Sequence, residues 1–481
     1  MKKFLSLLSF VVSLTACSQV TPPEPFGPLP SERQLIWHEM EYYMFVHFTV
    51  NTFTDKEWGY GDEKESVFNP TALECRQWAK VAKDAGMKGI IITAKHHDGF
   101  CLWPSQFTEH SVKNSVWKDG KGDVLRELRS ACDEFGLKMG VYLSPWDRNS
   151  AVYGTPEYLV YYRNQLNELL TNYGDVFEVW FDGANGGDGY YGGARERRKI
   201  DNKTYYDWAN THSIVRKLQP SAVMFSDAGP DIRWVGNESG MGSLTNWCLL
   251  KKDDMYPGGD FAKILGEGHE DGNYWVPAEV DVSIRKGWFY HQTQDSLVRS
   301  PENLLELYYQ SVGRNSNLLL NVPPDRRGLL HENDVKSLLA FRELLNKEFE
   351  NNVASGKEAS AKPVRGKGYE AANVTDGNPE TYWSTKDDQT TGELIINLGT
   401  ETEINRIIIQ EYIKLGQRVQ EFSVSAFTGG EWKTLIDGTT IGYKVIRKFP
   451  VVSATKIKIT ISKSKACPVI SNIELYRAPG I

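Results

Sequence analysis

The chain has 481 residues, of which 40% are hydrophobic, 24% are charged and 12% are aromatic. This composition is ordinary for a globular protein and excludes a disordered, collagen-like or polytopic membrane chain. The 55 Lys and Arg residues and 62 Asp and Glu residues give a formal net charge of −7. Because proteins that bind nucleic acid need clustered positive charge to hold phosphates, no nucleic-acid partner is expected.

The N-terminus carries a short apolar segment that ends at a cysteine. Residues 4–14 form a run that is too short to span a bilayer and is typical of a secretory signal peptide. The sequence Leu-Thr-Ala-Cys that ends at Cys17 resembles the lipobox of bacterial lipoproteins. It implies that residues 1–17 are a lipoprotein signal peptide and that Cys17 anchors the protein to a membrane of the bacterial cell envelope, facing the periplasm. An ordinary signal peptide cut nearby is the alternative, and the proline-rich residues 18–34 are interpreted as an extended tether.

Short apolar runs alternate with longer amphipathic stretches over residues 35–350. Six runs are typical of buried strands: Met44–Phe48, Gly89–Ala94, Lys138–Leu143, Val176–Phe181, Ala222–Ser226 and Asn317–Val322. The amphipathic stretches predict helices at Thr71–Ala85, Asp123–Phe135, Pro156–Tyr173, Tyr205–Leu218 and Glu332–Glu350. Such alternation predicts an α/β fold with a parallel sheet, and its length favours a (β/α)8-type barrel.

The composition changes after residue 350. Residues 351–374 are poor in aliphatic side chains. Five short strand-like runs follow: Glu393–Leu398, Ile404–Gln410, Phe422–Phe427, Lys444–Phe449 and Thr455–Ile461. Residues 351–481 are therefore predicted to form a second domain, an all-β sandwich.

Polar residues follow the predicted barrel strands at the edge where barrel enzymes place their active sites. Asp182 comes directly after an apolar strand, where a carboxylate cannot be buried without a partner, and Gly183 beside it lets another group approach closely. Asp182 is a candidate catalytic residue, with a helix or loop cap as the alternative. His96 and His97 are interpreted as hydrogen-bonding partners of a polyhydroxy substrate, with metal ligands or core histidines as alternatives.

Five motifs in residues 35–350 resemble glycoside hydrolase family 29, the α-L-fucosidases, and they occur in the same order. They are Met44-Phe45-Val46-His47-Phe48, Glu57-Trp58-Gly59, Lys95-His96-His97-Asp98-Gly99-Phe100, Trp180-Phe181-Asp182-Gly183 and Asn317-Leu318-Leu319-Leu320-Asn321-Val322-Pro323-Pro324. The resemblance implies a retaining, exo-acting α-L-fucosidase that needs no cofactor for catalysis. It also implies a fucosylated glycan as the substrate and Asp182 as the nucleophile.

A retaining glycosidase needs a second carboxyl group, about 5–5.5 Å from the first, which acts as acid and then as base. Glu238, Glu279 and Asp231 are the candidates downstream of Asp182. The sequence Gly236-Asn237-Glu238 resembles the branch of the family that is specific for α-1,3 and α-1,4 fucosides. This resemblance implies that Glu238 is the acid/base residue, with Glu279 as the runner-up.

The same motifs imply which residues contact the sugar. Four polar residues are expected to hold the fucose hydroxyl groups: His47, Glu57, His96 and His97. Three aromatic residues are expected to surround the sugar: Trp58, Trp180 and Trp288. The last of these occupies the position of the aromatic residue that packs on the methyl group at C5, and core packing is the alternative for each. The chain departs from its relatives at Leu143, so a hydrogen bond that some relatives make at that position is not expected.

The C-terminal region resembles the discoidin-like, or factor V/VIII C-type, domains, which include carbohydrate-binding modules. The residues that carry this resemblance are Ala371-Ala372-Asn373-Val374-Thr375-Asp376-Gly377-Asn378 and Thr381-Tyr382-Trp383. Relatives often hold a structural calcium ion near this turn, which implies Asp376, Asn378 and Glu474 as its ligands. A turn without an ion is the alternative, and glycan binding by this domain stays open.

Two other functions stay open from the sequence alone. One is a sugar-binding lipoprotein with an inactive barrel, and the other is a barrel glycosidase for another 6-deoxy or galacto-configured sugar. The intact Asp182 favours an enzyme, because a binding protein does not need such a carboxylate at a strand end. The sequence predicts no oligomeric state.

Overall fold

The computed structural model describes residues 20–479. The predicted signal peptide, including Cys17, lies outside the described residues. Within residues 20–479, no helix is long and apolar enough to cross a membrane. The described chain forms an α/β barrel followed by an antiparallel all-β domain, as the sequence predicts.

Eight parallel strands form a closed barrel in which neighbours in the chain are neighbours in the sheet, and β1 closes against β8. The strands are β1 (Tyr42–Val46), β2 (Gly89–Lys95), β3 (Lys138–Leu143), β4 (Glu178–Trp180), β5 (Val223–Ser226), β6 (Ile232–Trp234), β7 (Ala278–Ser283) and β8 (Asn317–Asn321). The predicted barrel is therefore confirmed. Six of its strands coincide with apolar runs, whereas β6 and β7 do not.

Strand β7 escapes prediction because charged residues alternate with apolar ones along it. Val280 and Val282 pack in the core between the barrel and its helices. Glu279 and Asp281 are also buried, although both are acidic. Alternate residues of a barrel strand face its interior, so two acidic residues inside the barrel hide the apolar pattern of a buried strand.

The helices described are α1 (Glu32–Met40), α2 (Val50–Thr54), α3 (Cys75–Asp84), α4 (Val124–Phe135), α5 (Pro156–Asn172), α6 (Trp208–Leu218), α7 (Ala262–Glu267), α8 (Pro301–Gln310) and α9 (Glu332–Glu348). The Asp123 side chain caps α4 by accepting from the Arg126 N–H, and Gly136 ends it in the left-handed conformation. Helix α3 begins later than predicted, because the Ala72 N–H bonds to the Arg327 carbonyl instead of starting a helix.

Large side chains fill the centre of the barrel. Tyr43, Phe45, Ile91, Trp180 and Phe225 belong to one buried cluster there. The rings of Trp180 and Phe225 stack with their centroids 3.9 Å apart. The barrel is thus a packed core rather than a channel, and space for a ligand is left at the C-terminal ends of the strands.

The all-β domain contains β9 (Ala359–Lys362), β10 (Trp383–Ser384), β11 (Gly392–Glu411), β12 (Val419–Thr428), β13 (Glu431–Gly438), β14 (Val445–Ser464) and β15 (Val469–Tyr476). Their order is β10-β15-β11-β14-β12-β13, with β9 beside β11. The sequence predicts β11 and β14 as two shorter strands each. Their antiparallel pairing continues past a register shift between Asn397 and Thr402, because a bulge absorbs extra residues without ending the ladder.

Residues 20–31 form neither a helix nor a strand, and their backbone is bound to the all-β domain. Arg365 donates to the carbonyls of Thr21 and Pro22, at 2.6 and 3.1 Å, and Arg418 donates to that of Glu24 at 2.7 Å. Both arginines belong to the all-β domain. The last residues of the predicted tether begin α1 at Glu32.

The residues predicted to bind calcium take part in local hydrogen bonds. Asp376 accepts from the backbone N–H of Asn378 at 2.8 Å and from the Thr381 hydroxyl at 2.7 Å, which closes the turn. Glu474 accepts from the Asn472 side chain at 2.8 Å on β15. In the described part of the chain, no group of three or more His, Cys, Asp or Glu side chains is placed to hold a metal ion. The calcium site therefore stays a prediction without support from the side chains.

A buried ion pair joins the barrel region to the all-β domain. Arg406 on β11 lies 3.0 Å from Glu348 at the end of α9, and it also donates to the Tyr309 hydroxyl at 2.8 Å. Both charged side chains are almost inaccessible to solvent. Because a buried charge is costly without a partner, the two domains depend on each other at this contact.

Candidate active site

A cavity of about 240 Å³ opens at the C-terminal ends of the barrel strands. Its lining is aromatic and polar, and it consists of Phe45, His47, Trp58, His96, His97, Tyr142, Trp180, Asp182, Ala184, Glu238, Asp281 and Trp288. Asp182, Glu238, three histidines and three tryptophans that the sequence singled out therefore converge on one site. Glu57 is the single predicted sugar contact that does not line it.

Asp182 projects into this cavity one residue beyond Phe181, which follows β4. Its Oδ1 accepts the backbone N–H of Ala184 at 2.7 Å, and its Oδ2 accepts the Tyr142 hydroxyl at 2.9 Å. The Nε2 atom of His97 lies 3.9 Å from Oδ2. The side chain is 24% exposed, so the carboxylate is held from behind and open on the cavity side.

A second carboxyl group, that of Asp227, lies behind the chain that follows Asp182. A Cβ atom on Gly183 would come within 2.2 Å of Asp227 Oδ2, so a larger residue at that position would displace the Asp227 carboxyl group. Burial raises the pKa of Asp227 to about 6, against a hydrogen bond from the Gly258 N–H, and the charge of Asp182 adds to the rise. Asp227 is a site neighbour that the sequence analysis did not identify.

Glu238 lies at the mouth of the cavity, in the loop after β6. The residue is exposed, but its carboxyl is partly buried and accepts the indole N–H of Trp288 at 3.3 Å. Partial burial raises the pKa of Glu238. The Trp288 hydrogen bond lowers it, and the charges of Asp182 and Glu57 raise it further. The net direction is upward, which favours the protonated form of the Glu238 carboxyl group.

Glu57 lies behind the loop that carries Trp288. Its carboxylate accepts the backbone N–H groups of Trp288 and Phe289, at 2.8 and 3.3 Å. His291 Nε2 lies 2.6 Å from the same carboxylate. These bonds fix the loop next to the cavity, and the predicted contact of Glu57 with a sugar hydroxyl stays a prediction.

Three buried histidines line the cavity floor. His47 Nδ1 lies 2.8 Å from Asn321 Oδ1, and His97 Nδ1 lies 2.7 Å from Ser144 Oγ. His96 Nδ1 has no hydrogen-bond partner among the described residues. Burial lowers the pKa of all three, that of His47 to about 3, so the rings are neutral. A neutral imidazole offers one donor and one acceptor, which suits contacts with hydroxyl groups.

The three tryptophans form walls at different depths. Trp180 is 6% exposed, whereas Trp58 is 54% exposed and meets the His97 ring edge-on at a centroid distance of 5.4 Å. The Trp288 ring lies 5.2 Å from that of His47. Flat apolar faces around polar groups are typical of sites that bind sugar rings.

The two other carboxyl groups considered for the acid/base role lie outside the cavity. Glu279 is fully buried inside the barrel, where it accepts from the Tyr43 hydroxyl and from the Trp180 indole N–H. Asp231 pairs with Arg33 and Arg216. Neither side chain lines the cavity, so the structure does not support the runner-up assignment of Glu279.

Two polar lining residues were missed by the sequence analysis. Tyr142 lies inside an apolar strand, where its hydroxyl gives no sequence signal of a bond to Asp182. Asp281 lies on β7, and the Trp234 indole N–H donates to it at 2.8 Å. Burial raises the pKa of Asp281 well above its usual value, with a further contribution from Glu238. Recognition of β7 as a strand would have placed Asp281 near a strand end.

Comparisons with known proteins identify the families of both domains. Residues 29–350 match the family model of the α-L-fucosidases, and residues 356–475 match that of the F5/8 type C domain. The chain is 43% identical to "Alpha-L-fucosidase 1" of Arabidopsis thaliana over 482 residues, which cover 98% of this chain and 92% of that protein.

Solved structures give the same result. A glycoside hydrolase 29 family member from an unknown rumen bacterium is 48% identical with a TM-score of 0.86, over 95% of this chain and 79% of that one. A Ruminococcus gnavus GH29 fucosidase in complex with fucose is 33% identical with a TM-score of 0.86, over 96% and 97% of the two chains. The chain belongs to glycoside hydrolase family 29: it is an α-L-fucosidase whose barrel is followed by a discoidin-like F5/8 type C domain.

Proposed function

We propose that this α-L-fucosidase removes terminal α-1,3- or α-1,4-linked fucose from oligosaccharides or glycoconjugates by a retaining, exo-acting double displacement. The observation that carries the proposal is that Asp182 and Glu238 line one small cavity. A retaining mechanism needs two such carboxyl groups, one to attack the anomeric carbon and one to protonate the departing oxygen. The intact pair argues against an inactive barrel that only binds sugar.

Asp182 is the nucleophile in this proposal. Bonds from the Ala184 N–H and the Tyr142 hydroxyl orient its carboxylate, and its remaining surface faces the cavity. Attack on the anomeric carbon forms a covalent glycosyl-enzyme and expels the leaving group. The ester that forms carries no charge, and this change affects the pKa of Glu238.

Glu238 is the acid and then the base. Partial burial and the charge of Asp182 raise its pKa, so it holds a proton that it can give to the leaving oxygen. Once Asp182 is esterified, its charge is gone and the pKa of Glu238 falls. The same carboxylate can then take a proton from the water that attacks the intermediate.

The rest of the cavity supports the binding of a single terminal sugar. Its volume of about 240 Å³ is smaller than the roughly 300–1,000 Å³ of pockets for drug-sized ligands. His47, His96 and His97 offer neutral ring nitrogens to the hydroxyl groups, between the walls formed by Trp58, Trp180 and Trp288. Glu57 contributes by holding the loop of Trp288.

The linkage preference is supported by the resemblance of Gly236-Asn237-Glu238 to the branch specific for α-1,3 and α-1,4 fucosides. The test is incubation with oligosaccharides carrying α-1,2-, α-1,3-, α-1,4- or α-1,6-linked fucose, with the first-formed anomer identified by NMR. We expect release of α-fucose from the α-1,3- and α-1,4-linked substrates. Equal rates on an α-1,2-linked trisaccharide would refute the preference, and β-fucose as the first product would refute retention.

The nucleophile is tested in the same assay. Asp182→Gly should lose turnover and keep the fold. Azide should restore part of the rate by entering the vacated space, and the product should be β-fucosyl azide. Near-normal turnover of this variant without azide would show that another residue attacks the sugar.

Membrane anchoring through Cys17 belongs to the same proposal, together with a periplasm-facing position in the bacterial cell envelope. Its support is the resemblance of residues 14–17 to a lipobox. Metabolic labelling with a fatty-acid analogue should mark the wild-type protein and leave Cys17→Ser unmarked. Equal labelling of both proteins would refute the anchor.

A further inference from the structure

His291 lies between two carboxylates at the end of the loop that carries Trp288. Its Nδ1 is 2.8 Å from Asp55 Oδ1, and its Nε2 is 2.6 Å from Glu57 Oε1. Both ring nitrogens therefore face acceptors, and an imidazole that donates from both nitrogens is protonated. The side chain is 12% exposed. The other charged group at this contact is Arg326, whose Nη2 is 3.9 Å from Asp55 Oδ1.

Glu57 connects this histidine to the active site. Besides the bond to His291, its carboxylate accepts the backbone N–H groups of Trp288 and Phe289. A Cβ atom on Gly287 would come within 2.2 Å of Glu57 Oε1, so the loop packs tightly on this carboxylate. Trp288 in turn donates its indole N–H to Glu238. His291 is thus connected to the carboxyl group of Glu238 through Glu57 and through Trp288, whose backbone bonds to Glu57 and whose side chain bonds to Glu238.

We propose that His291 is a positioning residue for Glu238: as an imidazolium held between Asp55 and Glu57, it fixes the loop whose Trp288 donates to the acid/base carboxyl. The inference rests on the proposed role of Glu238. It adds a residue that touches neither the sugar nor the reacting atoms and that acts only through Glu57 and Trp288.

Removal of the His291 imidazolium should raise the pKa of Glu238. Burial lowers the pKa of His291, but the bonds and charges of Asp55 and Glu57 outweigh burial and raise it. Without His291, no imidazolium compensates the negative charge of Glu57. The loop is also less firmly fixed, so the hydrogen bond from the Trp288 indole N–H to Glu238 weakens. Both changes disfavour the ionised form of Glu238 and raise its pKa. A purely structural role for His291 would lower the rate at every pH without moving the profile.

The test is the pH dependence of kcat/KM for His291→Gln, measured with a fucosylated oligosaccharide and with an activated aryl fucoside. We expect a loss of about tenfold on the oligosaccharide, a smaller loss on the aryl fucoside, and a basic limb moved to higher pH by about half a unit to one unit. His291→Lys, which keeps a cation between the two carboxylates, should return the limb toward that of the wild type. His269→Gln is the matched control, because His269 contacts Lys251 outside the cavity, and it should leave the profile unchanged.

The outcomes separate this inference from the proposed function. If Glu238→Gln is severely impaired on the oligosaccharide while His291→Gln keeps the wild-type basic limb, His291 does not position Glu238 and the inference is overturned. If Glu238→Gln turns over the oligosaccharide normally, the acid/base assignment itself fails. Thermal unfolding of each variant shows whether the substitution destabilises the fold. If His291→Gln is destabilised, the pH profile of His291→Lys decides whether His291 positions Glu238.

Discussion

The hydroxyl of Tyr142 donates to Asp182 Oδ2 at 2.9 Å, and Tyr142→Phe would remove this bond alone. Tyr142 is fully buried, and burial raises its pKa well above the usual value, so the hydroxyl is a neutral donor throughout the working range. A hydrogen bond to a charged group contributes roughly 1.5–3 kcal/mol. In the proposed mechanism, removal of this hydrogen bond should slow glycosylation and deglycosylation by different factors.

In the proposed retaining mechanism, the transition states of both steps resemble an oxocarbenium ion, in which the carboxylate keeps most of its charge. Tyr142→Phe therefore removes about the same stabilisation from the free enzyme as from the transition state of glycosylation. Because kcat/KM reflects the free-energy difference between these two states, it should change little. The ester of the covalent intermediate accepts only a weak hydrogen bond from Tyr142. The variant therefore destabilises this intermediate less than it destabilises the transition state of deglycosylation. Hydrolysis of the fucosyl ester on Asp182 should then slow by about 10- to 150-fold, which corresponds to roughly 1.5–3 kcal/mol.

Stopped-flow kinetics with an aryl fucoside measure this asymmetry for Tyr142→Phe. We expect a burst of released phenol, a lower kcat and a lower KM. Tyr162→Phe is the matched control, because Tyr162 is equally buried but donates to the Leu143 carbonyl at 2.9 Å, and it should show no burst. Equal losses in kcat and kcat/KM for Tyr142→Phe, without a burst, would refute the reasoning.

Three further predictions follow from other contacts. Glu238→Gln should slow oligosaccharide hydrolysis by roughly 10²–10⁴-fold and aryl fucoside hydrolysis far less, with azide giving α-fucosyl azide; similar losses on both substrates would contradict an acid/base role. Glu279→Gln should keep its turnover. Burial raises the pKa of Glu279 from 4.5 to about 7, so the wild type loses stability as pH rises through this range, and thermal unfolding should show a weaker pH dependence in the variant; unchanged dependence would count against this burial effect. Arg406→Ala leaves Glu348 buried without its partner and should lower the free energy of unfolding in urea by roughly 3–5 kcal/mol, whereas a loss below about 1 kcal/mol would mean that solvent reaches the pair.

Much of the architecture was readable from local patterns. Apolar runs located six of the barrel strands, because a strand buried on both faces must be apolar along its length. Asp182 was identified for a related reason, since an acidic residue directly after such a run lies at the functional edge of the barrel. The same rule failed at β7, where Glu279 and Asp281 face inward and interrupt the apolar pattern.

The sequence by itself determined the barrel, the second domain and a set of polar and aromatic candidates near the strand ends. The resemblance of Gly236-Asn237-Glu238 already favoured Glu238 over Glu279, but only the tertiary structure shows how the surroundings of these two glutamates differ. Glu279 is enclosed by Tyr43 and Trp180, residues far from it in the chain, while Glu238 faces the cavity beside Trp288. Burial, hydrogen bonding and the pKa of a carboxyl group depend on such long-range neighbours, which no local pattern of residues contains.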